Sequence, residues 1–434
     1  MTAQAKNKGW LVTFSGTGIN LALGILYTWS IFKGAIKDSI DQGGQGAFQW
    51  EPASLNDPYA VCCIVFAFAM ILAGKCQDRF GPRITAFIGG LLVGLGFIWI
   101  SQSTTYVVWV LGFGVLAGMG IGFGYSSATP PALKWFSAEK TGLIAGLVVS
   151  GFGLASVYIA PLSQYLLGAW GLQKAMLFFG IAFFLVVCGL SLLLINPPPE
   201  KASGKTDSGG RSLITPLQKK DVSPSEMMKT RTFYTLWVIY FIGAGAGLMV
   251  IGSVAGMAKQ SMGNLAFLAV AILAVGNAGG RIIAGMLSDK IGRRATLSSI
   301  LMFQAVLMLI AIPVVGSEDA GAAILVLLAT FIGFNYGANL SLFPSLTKDQ
   351  WGMSHFGINY GIVFTAWGVG GFVMGRLSQM LQSATGGYTY SFLTATALLV
   401  VGAFLTFTLE GKRVREESPF SKEDAALTYE EPIR

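Results

Sequence analysis

Arg281 stands in an otherwise apolar stretch of the sequence, eight residues before Asp289. At 1.5 Å per helical residue that separation is about 12 Å, close to half the hydrocarbon thickness of a bilayer, which is about 30 Å. A guanidinium at that depth costs at least about 2.5–3.5 kcal/mol on insertion scales, so it needs a partner. Its planar fork can donate two parallel hydrogen bonds to a carboxylate. The chemistry this residue offers is therefore capture of a small organic anion. The alternative is a structural arginine neutralised by an internal acid. No Asp or Glu falls within a central apolar stretch, since all 21 lie in connections, helix ends or terminal segments. Asn277, one turn earlier, can hold the guanidinium only as a neutral acceptor.

Aromatic residues accompany this cation. Tyr125 and Tyr336 lie nine and twelve residues before Lys134 and Lys348, which puts both near the depth of Arg281. Tyr27 reads as nearer the outer end of its own stretch. A phenol hydroxyl can donate to a carboxylate while its ring walls an apolar tail. Phe152, Phe364 and Trp367 are candidate walls of the same site, although aromatic residues in apolar stretches also serve simply as packing. His355 is the single histidine. Histidine as a residue type can relay protons near neutral pH, which makes His355 a candidate proton relay, with a structural helix cap as the alternative.

These residues need elements to hold them, and the composition says which. Of 434 residues, 53% are hydrophobic and 12% charged, about half the usual charged share. A soluble fold of this size could not cover its surface with so few charges. That excludes a secreted protein, a soluble enzyme and a nucleic-acid binder. Apolar runs of about 20 residues occur near 10–32, 57–75, 84–101, 106–130, 142–168, 174–195, 232–257, 264–287, 295–314, 320–346, 355–383 and 388–410. The first is too long for a signal-peptide core and reads as a span. Lipid offers backbone groups no partners, so the spans are helices. The fold class is an all-α membrane protein of twelve transmembrane helices, with the lipid bilayer as its surroundings.

One connection differs from the rest. Residues 196–231 begin Asn196-Pro197-Pro198-Pro199 and carry seven Lys or Arg. They divide the chain into an N-terminal six-helix half (1–195), a linker (196–231), a C-terminal six-helix half (232–411) and a tail (412–434). With the N-terminus inside, 23 cations fall on the inner side and four on the outer. The positive-inside rule then makes both termini and the linker cytoplasmic, in a cell inner or plasma membrane. Most of the net charge of +8 is accounted for by that topology. Cys62, Cys63, Cys76 and Cys188 lack metal-ligand spacing and read as small apolar residues. No nucleophile–base set, metal cluster or Walker motif is present, so neither an enzyme nor an ATP-driven pump is expected, and no cofactor or metal. No obligate protein partner is evident.

The two halves repeat one another. Residues 74–83 and 285–294 both fit G-x-x-x-D-[RK]-x-G-x-R, through Gly74, Asp78, Arg79, Gly81 and Arg83 and through Gly285, Asp289, Lys290, Gly292 and Arg293. The offset is 211, and it also relates Tyr125 to Tyr336. An offset of 215 relates Gly146 and Gly153 to Gly361 and Gly368. Parallel repeats about an axis along the membrane normal are a known transporter plan, with the site between halves near the midplane. In each loop the aspartate can pair with the loop arginines or cap a neighbouring helix N-terminus. Met70 is the repeat equivalent of Arg281, so the site carries its cation on one side only.

The twelve spans, the central linker and the doubled loop motif resemble the major facilitator superfamily, over about residues 10–410. More narrowly, Tyr27-Thr28-Trp29-Ser30, Gly122-x-Gly124-Tyr125, Gly279-Gly280-Arg281 and Asn359-Tyr360-Gly361 are similar to the oxalate–formate antiporter and monocarboxylate transporter group. The resemblance implies two pseudo-symmetric halves and alternating-access transport of small carboxylates. Arg281 matches the group's substrate-binding arginine, and Tyr27 and Tyr125 match its substrate tyrosines. Tyr336 matches an aromatic position. The oxalate antiporter places a lysine six residues after the glycine of its Asn-Tyr-Gly, where this chain has Trp367. Animal monocarboxylate transporters place an Asp where this chain has Asn277, and a lysine within helix 1, whereas Lys33 lies near the outer end. The function expected is a secondary carrier for a small monocarboxylate such as lactate or pyruvate, moved with a proton. Exchange of oxalate or formate, a non-transporting carboxylate sensor and an anion channel are the alternatives.

Overall fold

The computed structural model describes residues 8–44, 46–51, 54–55, 57–198, 221–262, 266–315 and 322–409, with the backbone course alone for 251–262 and 266–270. Most of the linker and the whole tail fall outside them. Among the described residues twelve long helices are formed: α1 Gly9–Gln42, α2 Asp57–Phe80, α3 Pro82–Ile100, α4 Tyr106–Lys134, α5 141–170, α6 172–191, α7 Arg231–Met262, α8 Ala266–Ile291, α9 Arg293–Val315, α10 Ala322–Trp351, α11 Phe356–Thr385 and α12 Thr389–Leu405. Gly171, at φ +77°, breaks what is otherwise one continuous run and separates α5 from α6. Large apolar side chains such as Phe14, Leu72, Phe87, Leu185, Leu327 and Phe404 face outward, as lipid-facing helices require.

Every helix was anticipated, but several run past the apolar stretches that announce them. The last ten residues of α1, from Lys33, are amphipathic and carry a Lys37–Asp41 pair one turn apart at 3.5 Å. Apolarity marks where lipid ends, whereas the backbone goes on making i→i−4 bonds into the polar surroundings. α2 and α8 likewise continue through Asp78 and Asp289, so these aspartates sit in final helical turns and not in loops. Gly81 (φ +84°) and Gly292 (φ +92°) then make the turns, at φ values that disfavour a side chain.

The two halves meet along two seams, α2 against α11 and α5 against α8. Both are lined by glycine on each face. A Cβ at Gly74 would strike the backbone of Gly357, and one at Gly361 the carbonyl of Met70. On the other seam a Cβ at Gly142 would strike the carbonyl of Gly285, and one at Gly146 the carbonyl of Arg281. The repeat offsets thus correspond to equivalent crossings, at which backbones touch because no side chain intervenes. Inside the N-terminal half, α4 uses Gly114, Gly118 and Gly122 against α2, and Gly112 and Gly120 against α3.

α1 is not uniform. It tightens to a 3₁₀ turn over Gly24–Thr28, where Gly24 lies against Ala155 and the Phe152 carbonyl with no room for a Cβ. This turn carries Tyr27. Tyr27 lies toward the later part of the apolar stretch, and its hydroxyl meets Tyr336 and Arg281 of the other half.

If the seams must close on bare backbone, Gly361→Val should leave each half folded but hold the α2–α11 seam apart. The expected outcome is normal membrane abundance with transport lowered at least tenfold, measured by immunoblot and by uptake in the same membranes.

Candidate functional site

Arg281 is completely buried, at the crossing of α8 with α5. Its Nε donates to Asn277 Oδ1 at 3.0 Å, one turn back on its own helix. Nη1 donates to the carbonyl of Val149 on α5, and Nη2 faces the Tyr27 hydroxyl on α1 at 3.5 Å. The approach to Val149 is open because Gly153, a turn further along α5, has no side chain: its Cβ would sit 3.3 Å from both Arg281 Nε and Asn277 Oδ1. All three acceptors are neutral. Three of the five guanidinium protons are thus engaged, and the charge has no acidic partner among the described residues. The structural reading, an arginine paired with an internal acid, does not apply to these contacts.

The side chains of Tyr27, Phe66, Tyr125, Phe152, Leu340, Phe364 and Trp367 close round Arg281 into a chamber that in this conformation is packed too tightly to admit a water molecule. The structure thus brings together six residues singled out in the sequence. Asn277 and Tyr336 stand just behind them. Phe66 and Leu340 were not anticipated. Phe66 is the hub of the cage, with ring centroids 5.1–6.0 Å from those of Phe364, Trp367, Tyr125 and Phe152. A phenylalanine in an apolar span carries no polar atom to mark it. The one available signal was its place four residues before Met70, one turn along α2 from the equivalent of Arg281.

A hydrogen-bonded relay backs the site. Trp367 Nε1 donates to Tyr336 Oη at 2.8 Å, and Tyr336 Oη lies 2.8 Å from Tyr27 Oη. An indole can only donate. We assign the Tyr336 proton to Tyr27, whose oxygen also faces Arg281 Nη2. Tyr27's own proton is then left for a ligand. The relay joins the halves, since Tyr27 lies in the first and Tyr336 and Trp367 in the second.

The loop motif does different work, at one end of the seams. α5 and α11 begin without a side-chain cap of their own, their cap positions being Lys140 and His355. The caps come from the opposite half. Asp78 accepts from the amides of Gly357 and Ile358 at 3.0 and 2.9 Å. Asp289 accepts from those of Gly142 and Leu143, both at 2.9 Å. Each carboxylate satisfies two orphan donors at the positive end of a helix dipole. Of the two roles anticipated for these aspartates, capping holds for both and ion pairing for Asp289 alone. Arg293 pairs with Asp289 at 2.6 Å and with Asp349 at 3.1 Å. In the other copy Arg79 rests on the Phe80 ring at 5.2 Å, and neither it nor Arg83 is ion-paired among the described residues. Lys290 is exposed. His355 is exposed at the start of α11 and is not part of the chamber.

Comparison with known proteins agrees with this architecture. The family model described as Major Facilitator Superfamily matches residues 9–375 and 236–431. The chain belongs to that superfamily. It is 30% identical to an uncharacterized MFS-type transporter of Escherichia coli (strain K12), YhjX, over 83% of this chain and 85% of that one. It is 26% identical to the oxalate:formate antiporter of Oxalobacter formigenes, covering 93% and 92%. To monocarboxylate transporter 11 of Homo sapiens it is 26% identical, covering 92% and 82%. Among solved structures, the superfamily transporter FucP in its outward conformation superposes with a TM-score of 0.63 at 15% identity, covering 90% of this chain and 98% of that one. The chain is thus a multi-pass membrane transporter with the all-α major facilitator fold, related to carriers named for monocarboxylates and for oxalate and formate. Its relatives are transporters, not enzymes.

Removing either cap should loosen one seam selectively. A helix cap is worth about 1 kcal/mol and a charge at the dipole up to about the same. Asp78→Ala should therefore speed amide hydrogen exchange at Gly357 and Ile358 about tenfold, and Asp289→Ala that at Gly142 and Leu143, each read by mass spectrometry.

Proposed function

We propose that this transporter is a secondary carrier for a small monocarboxylate of the lactate or pyruvate class, moved by alternating access with a proton as the co-transported ion. The observation that carries the reading is the buried Arg281, with two unused guanidinium protons and no acid beside it, inside an aromatic cage. A bound carboxylate would neutralise the guanidinium, accept its free fork and the Tyr27 proton, and turn a short apolar end toward Phe66, Phe364 and Trp367. In this reading the motif end of the seams, both termini and the linker face the cytoplasm of an inner or plasma membrane. The shared caps at Asp78 and Asp289 hold that side shut. The kinship with monocarboxylate transporter 11 and with the oxalate:formate antiporter supports the substrate class.

A second reading, exchange of one carboxylate for another, is favoured by one observation. Among the described residues no Asp, Glu or His lines the chamber, so the groups around Arg281 include no carboxylate or imidazole to carry a proton. Proteoliposomes divide the two. An inward pH gradient should drive labelled lactate uptake in symport, whereas exchange requires unlabelled carboxylate inside.

Arg281→Ala should insert normally yet bind and transport little. Arg281→Lys, which keeps the charge but loses the fork, should also be poor, at least tenfold below wild type. Wild-type uptake by Arg281→Ala would sink the site assignment.

Selectivity follows from the single charge. A dicarboxylate would bring a second, unpaired carboxylate into the cage at a cost of several kcal/mol. Lactate and pyruvate should therefore outcompete oxalate against labelled lactate. Trp367→Lys should shift the preference toward oxalate. Stronger competition by oxalate in the wild type would show that a second cation faces the substrate.

A further inference from the structure

Phe364 is a wall of the Arg281 chamber on one flank and something else on the other. Its ring centroid lies 5.4 Å from Tyr125, 6.1 Å from Tyr240 and 5.8 Å from Tyr360. These three tyrosines come from α4, α7 and α11, and all are buried. The Tyr360 hydroxyl stands in loose mutual contact with those of Tyr125 and Tyr240. Yet none of the three closes a regular hydrogen bond. Buried phenols normally find well-formed partners, so three that have only one another, without regular geometry, are exceptional. Thr129, one turn beyond Tyr125 on the same face of α4, is also buried with an unpartnered hydroxyl.

The place of this cluster is specific. Tyr360 lies two residues after Ile358, whose amide Asp78 holds. That is about 3 Å along the helix axis, so the cluster sits between the chamber and the closed motif end. Tyr125 belongs to both, since it also lines the chamber. The repeat does not reproduce the arrangement: the equivalents of Tyr360 and Thr129 are Ala145 and Leu340. One seam therefore has a polar floor and the other an apolar one.

We propose that the hydroxyls of Tyr125, Tyr240 and Tyr360 form a second, uncharged carboxylate position, which takes the anion from Arg281 on its way to the motif end. Phenol hydroxyls donate to a carboxylate without a countercharge, so they hold it more weakly than a guanidinium does. That is what a step toward release needs. The ring of Phe364 separates the two positions, and its displacement as the α2–α11 seam opens joins them. Tyr125 can donate first in one position and then in the other.

This inference rests on the reading of Arg281 as the carboxylate site. Its test uses the whole protein, with Tyr240→Phe, Tyr360→Phe and the double variant, which remove one oxygen each and keep the rings. Lactate binding to detergent-solubilised protein and lactate exchange in proteoliposomes are measured on the same preparations. The expected result is a maximal exchange rate lowered about tenfold in the double variant, with the equilibrium dissociation constant within twofold of wild type. An unchanged rate would overturn the proposal and leave the hydroxyls as sites for water. A parallel loss of binding and rate would also overturn it, by making the cluster a support of the Arg281 site. If wild-type protein binds no lactate while Arg281→Ala is unaltered, the failure belongs to the functional reading and not to the cluster.

Discussion

A permanent positive charge held out of water at the meeting of two helical halves governs the rest of this structure. Among the described residues nothing acidic lies against the Arg281 guanidinium to cancel its charge. Neutral oxygens from its own helix, from α5 and from α1 hold it in place. Such an arrangement tolerates the charge without neutralising it. It orients the guanidinium toward the aromatic side chains packed around it. Moving one partner, such as the Val149 carbonyl, changes the environment of the charge directly, so the state of the charge and the relation of the halves are coupled through the same few atoms.

That coupling depends on seams that close to backbone contact. Two glycine-lined crossings let α2 meet α11 and α5 meet α8 without interlocking side chains. Smooth surfaces of this kind can part and re-form without rotamer changes. Directional bonds between the halves include those at the end where Asp78 and Asp289 cap the helices of the opposite half, and those at the centre, where Arg281 meets Val149 and Tyr27 and the Trp367–Tyr336–Tyr27 relay runs. The halves are thus fixed at a few polar points along otherwise featureless surfaces.

Much of this was legible in the sequence because its signals are costly ones. A cation in an apolar stretch, a motif written twice, and glycines repeated at one offset all violate what lipid or packing would otherwise select, and each marked a real contact. Other features lack such a signature. Phe66 and Leu340 are ordinary residues for a membrane helix, and only the meeting of α2 and α10 with the other helices places them at the chamber. The meeting of the Tyr27 hydroxyl with Arg281 and Tyr336 likewise depends on how α1 crosses the other half, which the sequence of α1 alone does not record. The two copies of the loop motif look alike in sequence. Only the structure shows that Arg293 has Asp289 and Asp349 beside it, whereas Arg79 lies on Phe80. The three inward-facing hydroxyls of Tyr125, Tyr240 and Tyr360 lie on helices far apart in the chain, so no local pattern could have announced them.

The unequal copies have a mechanical consequence. A hinge held by two clasps of equal strength yields at both together, but these clasps differ. At the α5–α8 seam Asp289 is braced by Arg293, which is itself tethered to Asp349 on α10, so parting that seam disturbs a network spread over four helices. At the α2–α11 seam Asp78 holds its two amides without an ion-pair brace. The lighter clasp is the one beside Tyr360. A swing that began there would pivot on the heavier side and open as a wedge, with its widest gap along the tyrosine-bearing face of α11.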